Sequence, residues 1–261
     1  MAQGDRIAGD VQPQVHFKTG WKTREQQIVL ARLFRDVSCI ADSGMFLSGG
    51  TCLSAFYLGH RDSEDLDLFV AKPQLPLGGG KRLLSAIAST FSELEERQNF
   101  EVTDDNECFL SLNLMGVKVD FVSDIFAFRH KRPTIDFLET QICVDSWENL
   151  CISKFAVFLS RGADKDILDV GAILTRVQME LSSPDRFVEF SDWLIQETQK
   201  REYLSNEVSY VYDACIQASE RLKQFNQSHE CDAMLSFSEI VRDLDDEIQN
   251  YLEEDTIGPE R

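Results

Sequence analysis

FLSGGTCLSAFYLGHRDSEDLDLFV, residues 46–70, is the stretch on which the fold turns. FLS before Gly49-Gly50 reads as a short buried strand, TCLSAFYLGH as a helix entered through the two glycines, and DLDLFV as an alternating strand. Side chains two apart on a strand share a face. Asp65 and Asp67 therefore project together, while Leu66 and Leu68 face the other way and can pack. Two carboxylates about 4 Å apart repel by roughly 4 kcal/mol at an effective dielectric near 20. A divalent cation offsets that repulsion, and carboxylate oxygens suit Mg²⁺ or Mn²⁺.

A third acid lies in VKVDFV, residues 117–122, where Val117, Val119 and Phe121 share one face and Lys118 and Asp120 the other. If this strand lies beside DLDLFV, Asp120 joins the pair, and three acids can hold two metals that activate a hydroxyl and stabilise a leaving pyrophosphate. Gly49-Gly50-Thr51, between a strand and a helix, suits phosphate: glycine lets the backbone approach closely, and a helix N-terminus presents N–H groups and partial positive charge.

Outward from this core, Ile28, Val29, Leu33, Val37 and Ile40 recur at helical spacing behind a Thr23/Gln26 capping box. An amphipathic helix follows in GGGKRLLSAIASTFSELEERQ. FEVTDD, CFLSLNLM and VKVDFV read as strands, the last two broken apart at Gly116 as in a tight hairpin, and QICVD is a further strand. From Ser146 the periodicity becomes helical throughout. The expected architecture is α/β (α+β), a mixed sheet with flanking helices and then an all-α module. The expected divisions are a disordered leader over 1–20, an α/β domain over 21–145, a helical domain over 146–255 and a tail over 256–261.

The 261 residues are 43% hydrophobic and 27% charged, a globular composition. No apolar run reaches the roughly 18 residues of a membrane span, and the polar start MAQGDRIAGDVQPQ lacks the apolar stretch of a secretory signal. Seven scattered cysteines without close pairs fit reduced thiols, hence a cytoplasmic protein. The net charge of −19 argues against a broad, sequence-independent grip on nucleic acid. Arg129-His130-Lys131-Arg132 is the one dense basic cluster, either a solvated loop or a docking patch for an RNA or protein acceptor through Arg129, Lys131 and Arg132.

GGT…LGHRDSEDLDLF resembles the signature of the AbiEii/AbiGii-type toxins, a branch of the polymerase-β nucleotidyltransferase superfamily, with its glycine turn, GHR-x-S segment and D-x-D strand. ENLCISKFAVFLSRGADKDILDVGAIL is similar to the family's later pattern of a helical Lys, an Arg, a basic-acidic pair and a further Asp. Phe155 follows the helical lysine where Leu is usual, and Lys165 stands where Arg is common before Asp166. The resemblance implies a polymerase-β-like fold with a polymerase-type metal site at Asp65, Asp67 and Asp120, and nucleotide phosphates on Gly49, Gly50 and Thr51. It implies Lys154 on the triphosphate and Asp166 or Asp169 completing the site. Arg61, Ser63 and Arg161 are candidates for nucleotide contacts, with helix-end charge and local capping as their alternative roles.

The expected activity is transfer of an NMP from an NTP to a hydroxyl of RNA, such as tRNA, or of protein. Pyrophosphate leaves, and the setting is toxin–antitoxin or phage defence with a cognate antitoxin. The rivals are a non-catalytic protein that keeps the fold to bind nucleotide or a partner, and a kinase-like phosphotransferase.

Overall fold

The computed structural model describes residues 20–91, 100–124, 130–181, 183–200 and 209–256. Residues 1–19 of the expected leader, Arg129 and the last five residues lie outside that set. The chain divides into two compact units, with the division between Leu150 and Cys151.

In the first unit, helix α1 (Arg24–Asp36) opens on the capping box read from the sequence, with Thr23 Oγ1 accepting from Gln26 N–H and Gln26 Oε1 accepting from Thr23 N–H. The expected single helix breaks at Val37, and a short α2 (Ser38–Ser43) follows, ending on left-handed Gly44. Strand β1 (Phe46–Ser48) leads into α3 (Gly49–Cys52), which continues as a π-helical stretch over Leu53–Leu58 and stops at left-handed Gly59. Next come β2 (Leu66–Val70), α4 (Gly80–Thr90), β3 (Phe100–Asp105), β4 (Phe109–Leu114) and β5 (Val117–Ser123). The sheet order is β1-β2-β5-β4-β3, with β2 and β5 parallel and the other pairs antiparallel. Gly116, at φ +81°, turns the β4–β5 hairpin.

A separate ribbon of β6 (Thr134–Phe137) and β7 (Thr140–Cys143) meets the main sheet through a bridge between Leu47 and Val144. β6 was not expected; TIDF is too short and too polar to stand out. The alternation does its work in burial: Leu66, Leu68, Val119 and Phe121 are fully buried on one face of the central parallel pair. Trp21, Phe56 and Phe137 cluster at centroid distances of 5.5–5.7 Å, Trp21 stacked on Phe137 and Phe56 edge-on to both, binding the chain before α1 to the π-helical stretch and the ribbon.

Helix α5 (Trp147–Arg161) spans the boundary between the units, and the second unit continues with α6 (Asp164–Glu180), α7 (Pro184–Lys200), α8 (Ser209–Gln224) and α9 (Ser228–Thr256). A Cβ on Gly171 of α6 would stand 2.9 Å from Glu230 Cβ and 3.3 Å from Leu222 Cδ1, so this glycine sets how closely α8 and α9 approach. Phe155 packs edge-on against Phe237 at 5.4 Å. No helix among the described residues is long and apolar enough to cross a membrane.

Candidate active site

The parallel pairing of β2 with β5 sets Asp67 directly opposite Asp120. β1 brings Ser48 opposite Asp67, and β4 brings Ser111 opposite Asp120. One row across the sheet therefore reads Ser48, Asp67, Asp120, Ser111. Asp120, only 9% exposed, accepts from Ser111 Oγ at 2.6 Å on one oxygen and from Lys118 Nζ at 2.6 Å on the other. Asp65 precedes β2, half-buried, with one oxygen 3.8 Å from the same ammonium. Burial acts to lower the Lys118 pKa, but the Asp120 hydrogen bond and the charges of Asp120, Asp65 and Asp67 outweigh it and hold the pKa above the ordinary lysine value. Lys118 is thus a resident cation among the three acids. The alternation placed it on the Asp120 face; its contact with Asp65 required the strand register.

The loop before β2 is anchored from α1: Gln26, 1% exposed, donates through Nε2 to the carbonyls of Ser63 and Glu64, both at 2.8 Å. Thr51 Oγ1 donates to the Asp65 carbonyl, tying the glycine turn to the same loop. Gly49 sits at φ +69°, and a Cβ there would lie 2.0 Å from Asp67 Oδ2. At Gly50 a Cβ would lie 2.8 Å from an Arg61 guanidinium nitrogen and 2.9 Å from Ser63 Oγ. The turn is therefore bare backbone pressed between Asp67 on one side and Arg61 and Ser63 on the other. This structure brings together Gly49, Gly50, Thr51, Arg61, Ser63, Asp65, Asp67 and Asp120, eight of the residues singled out from sequence.

The four candidates Lys154, Arg161, Asp166 and Asp169 lie in the second unit and pair with one another. Lys154 of α5 meets Asp169 of α6 at 2.8 Å, with side chains 12% and 0% exposed. Arg161 grips Asp166 with two parallel bonds, Nε–Oδ2 at 2.6 Å and Nη2–Oδ1 at 2.7 Å, and Asp166 also accepts from the Ala163 N–H. Asp166 is buried, and its carboxylate both caps the first turn of α6 and holds the α5–α6 corner closed.

The basic cluster divides. Lys131 is exposed. Arg132 is turned inward: its guanidinium lies 3.7 Å from the centroid of the Phe46 ring, and Nε is 3.4 Å from Oδ1 of buried Asp145. The docking role expected for Arg132 is corrected on this ground, because a cation stacked on the core and paired inside is not presented to an acceptor. Arg129 lies outside the described residues.

The acids offer oxygen donors of the kind Mg²⁺ and Mn²⁺ take. As the side chains stand, no group of three among the described His, Cys, Asp and Glu residues is disposed to hold a metal. The ammonium of Lys118 stands between Asp65 and Asp120 in this arrangement, so the donor chemistry fits a divalent cation once that ammonium withdraws.

A glycine turn packed on an acid strand, with a second acid strand in parallel register, is the arrangement expected of a nucleotidyltransferase-type site. The family model for the nucleotidyl transferase AbiEii toxin of type IV toxin–antitoxin systems matches residues 32–249, and the chain belongs to that family of enzymes. No curated protein matches the sequence at a significant level. Among solved structures, a presumed nucleotidyltransferase from H. pylori is 13% identical with a TM-score of 0.46, over 88% of this chain and 99% of that one. An antigenic nucleotidyltransferase-like protein from Paracoccidioides brasiliensis is 17% identical with a TM-score of 0.45, over 70% of this chain and 92% of that one.

Proposed function

We propose that the chain transfers a nucleoside monophosphate from an NTP to an acceptor hydroxyl on RNA or protein, releasing pyrophosphate, as the toxin of a cytoplasmic toxin–antitoxin pair. The observation that carries this reading is the register of Asp67 against Asp120 beside a glycine turn with no room for a side chain. Asp65, Asp67 and Asp120 would hold Mg²⁺ or Mn²⁺, which when bound supplies charge neutralisation and activation of the attacking hydroxyl.

The chain's own groups do the rest. Ser111 orients Asp120 by its hydrogen bond to one carboxylate oxygen. Backbone N–H groups of Gly49-Gly50-Thr51 donate to phosphate oxygens, and Arg61 and Ser63 flank that turn as further donors. In the second unit Asp169 holds the ammonium of Lys154 in place, and resemblance to the family makes Lys154 the candidate cation for the triphosphate.

The test is incubation of the purified chain with each α-labelled NTP, Mg²⁺ and a cell extract, followed by analysis of both products. Label on RNA or on protein together with released pyrophosphate supports the proposal and names the acceptor. Release of a nucleoside diphosphate instead would make the enzyme a phosphotransferase. Labelling that persists in Asp67→Asn and Asp120→Asn would remove the site from the acids.

A further inference from the structure

Asp145 is 1% exposed and belongs to neither the acid row nor the second-unit pairs. It immediately follows Val144, whose bridge to Leu47 brings this chain segment alongside β1. Three of its groups grip the segment that carries the glycine turn. Its N–H donates to the Leu47 carbonyl at 2.8 Å, its Oδ2 accepts from Ser48 Oγ at 2.7 Å, and its carbonyl accepts from the Tyr57 hydroxyl at 2.6 Å. Leu47 and Ser48 immediately precede Gly49, and Tyr57 lies in the π-helical stretch that follows the turn. The other carboxylate oxygen is held by the Ser146 N–H and by Asn149 Nδ2, both at 3.0 Å, with Arg132 beside it.

Burial is the largest influence on this carboxyl and pushes its pKa up, while Ser48, Asn149, Arg132 and Ser146 oppose the rise. A hydrophobic residue would fill such a place at lower cost. What the carboxylate adds is direction. It fixes Ser48, the end of the row that continues through Asp67 and Asp120. The tolerance at that point is small, since Gly49 leaves no space between the backbone and Asp67 Oδ2. A shift of a few tenths of an ångström in Ser48 moves the turn relative to the acid.

We propose that Asp145 is a positioning residue for the Gly49-Gly50-Thr51 turn, holding Ser48 before it and Tyr57 after it so that the turn's N–H groups are preorganised for a triphosphate. This rests on the reading of the turn as the phosphate site. Asp145→Asn alters a buried charge and can fail to fold, so Ser48→Ala and Tyr57→Phe carry the test, each removing one hydroxyl that Asp145 holds.

The full chain with Mg²⁺ is titrated with the α,β-methylene analogues of the four NTPs, and thermal unfolding is measured alongside. Ser48→Ala is expected to weaken analogue binding roughly tenfold and to raise KM for the NTP with kcat within about twofold. Ser48→Thr, which keeps the hydroxyl, is expected to restore most of the affinity, and Tyr57→Phe to act in the same direction as Ser48→Ala. A lowered Tm with unchanged analogue affinity in both hydroxyl-deleted variants would overturn the proposal and leave Asp145 as a fold-holding residue only. If Gly49→Ala binds the analogues as wild type does, or wild type binds none, the phosphate reading fails, and this inference fails with it.

Discussion

Replacing Lys154 with alanine breaks a buried ion pair and, on the proposed reading, removes a cation from the triphosphate. The Lys154–Asp169 pair is 2.8 Å long and almost wholly enclosed, with Asp169 at 0% exposure. Removing one partner of a buried pair costs about 3–5 kcal/mol. For a unit of this size that lowers Tm by about 10 °C or more. Losing one electrostatic stabiliser of a triphosphate separately costs about 10²-fold in kcat/KM. A lone alanine variant therefore confounds unfolding with catalysis.

Lys154→Met combined with Asp169→Leu separates them. The double replacement removes both charges at similar volume, a change that is often neutral or stabilising. The expected result is a Tm near wild type in the double variant, a deep fall in Lys154→Ala, and loss of transfer in both. Thermal unfolding by circular dichroism and transfer of labelled NMP are the two assays. A Tm within about 2 °C of wild type for Lys154→Ala would refute the buried-pair argument. A stable double variant with full kcat/KM would show that Lys154 serves the fold and not the nucleotide.

Gly49→Ala should lower transfer by about 10²-fold or more because its Cβ would collide with Asp67, whereas Gly44→Ala, also at positive φ but with open space around it, should cost only about 1–2 kcal/mol of stability. Comparable activity for the two variants would refute the steric argument. Lys118→Gln should tighten Mn²⁺ binding to the nucleotide-free protein severalfold, measured by electron paramagnetic resonance, since Asp65 and Asp120 lose the ammonium that now neutralises them; unchanged or weaker binding would argue against these acids as ligands. Arg132→Ala should destabilise the fold by about 3 kcal/mol through the buried carboxylate of Asp145, and Lys131→Ala should leave Tm unchanged. If RNA is labelled, Lys131→Ala should reduce the log–log salt slope of RNA binding by about one unit.

Much of the fold was legible because its signals are local. Alternation in DLDLFV and VKVDFV, the capping box at Thr23 and the turn at Gly116 depend on near neighbours, and each produced the expected element. The break at Val37 and the π-helical stretch over Leu53–Leu58 were not legible, because LARLFRDVSCIAD and LSAFYL keep ordinary helical apolar spacing. Family resemblance reached further than spacing did, singling out Lys154 and either Asp166 or Asp169 without indicating which of them pairs with the lysine. Helical periodicity put Lys154 with Arg161 and Asp166 with Asp169. The α5–α6 corner instead makes two crosswise pairs, Lys154–Asp169 and Arg161–Asp166. Which acid meets which cation is a property of the corner's geometry, and no single-helix argument contains it.

The groups that reading missed share a physical cause. Ser111, Lys118 and Asp145 are chemically ordinary residues whose importance comes from register. Ser111 matters because β4 aligns it with Asp120, and Asp145 because the Leu47–Val144 bridge carries it to Ser48, 97 residues away in sequence. Arg132 shows the same dependence with the opposite result. Four consecutive basic or titratable residues in an acidic chain invite a binding role, yet the segment after β5 folds so that this guanidinium lies on Phe46 and neutralises Asp145. A charge in sequence fixes what a side chain can pair with; only the sheet decides whether that partner is solvent, a substrate or the core. The acid row escapes this ambiguity because β alternation already forces Asp67 and its packing neighbours onto opposite faces, and burying Leu66 and Leu68 leaves Asp67 on the open one.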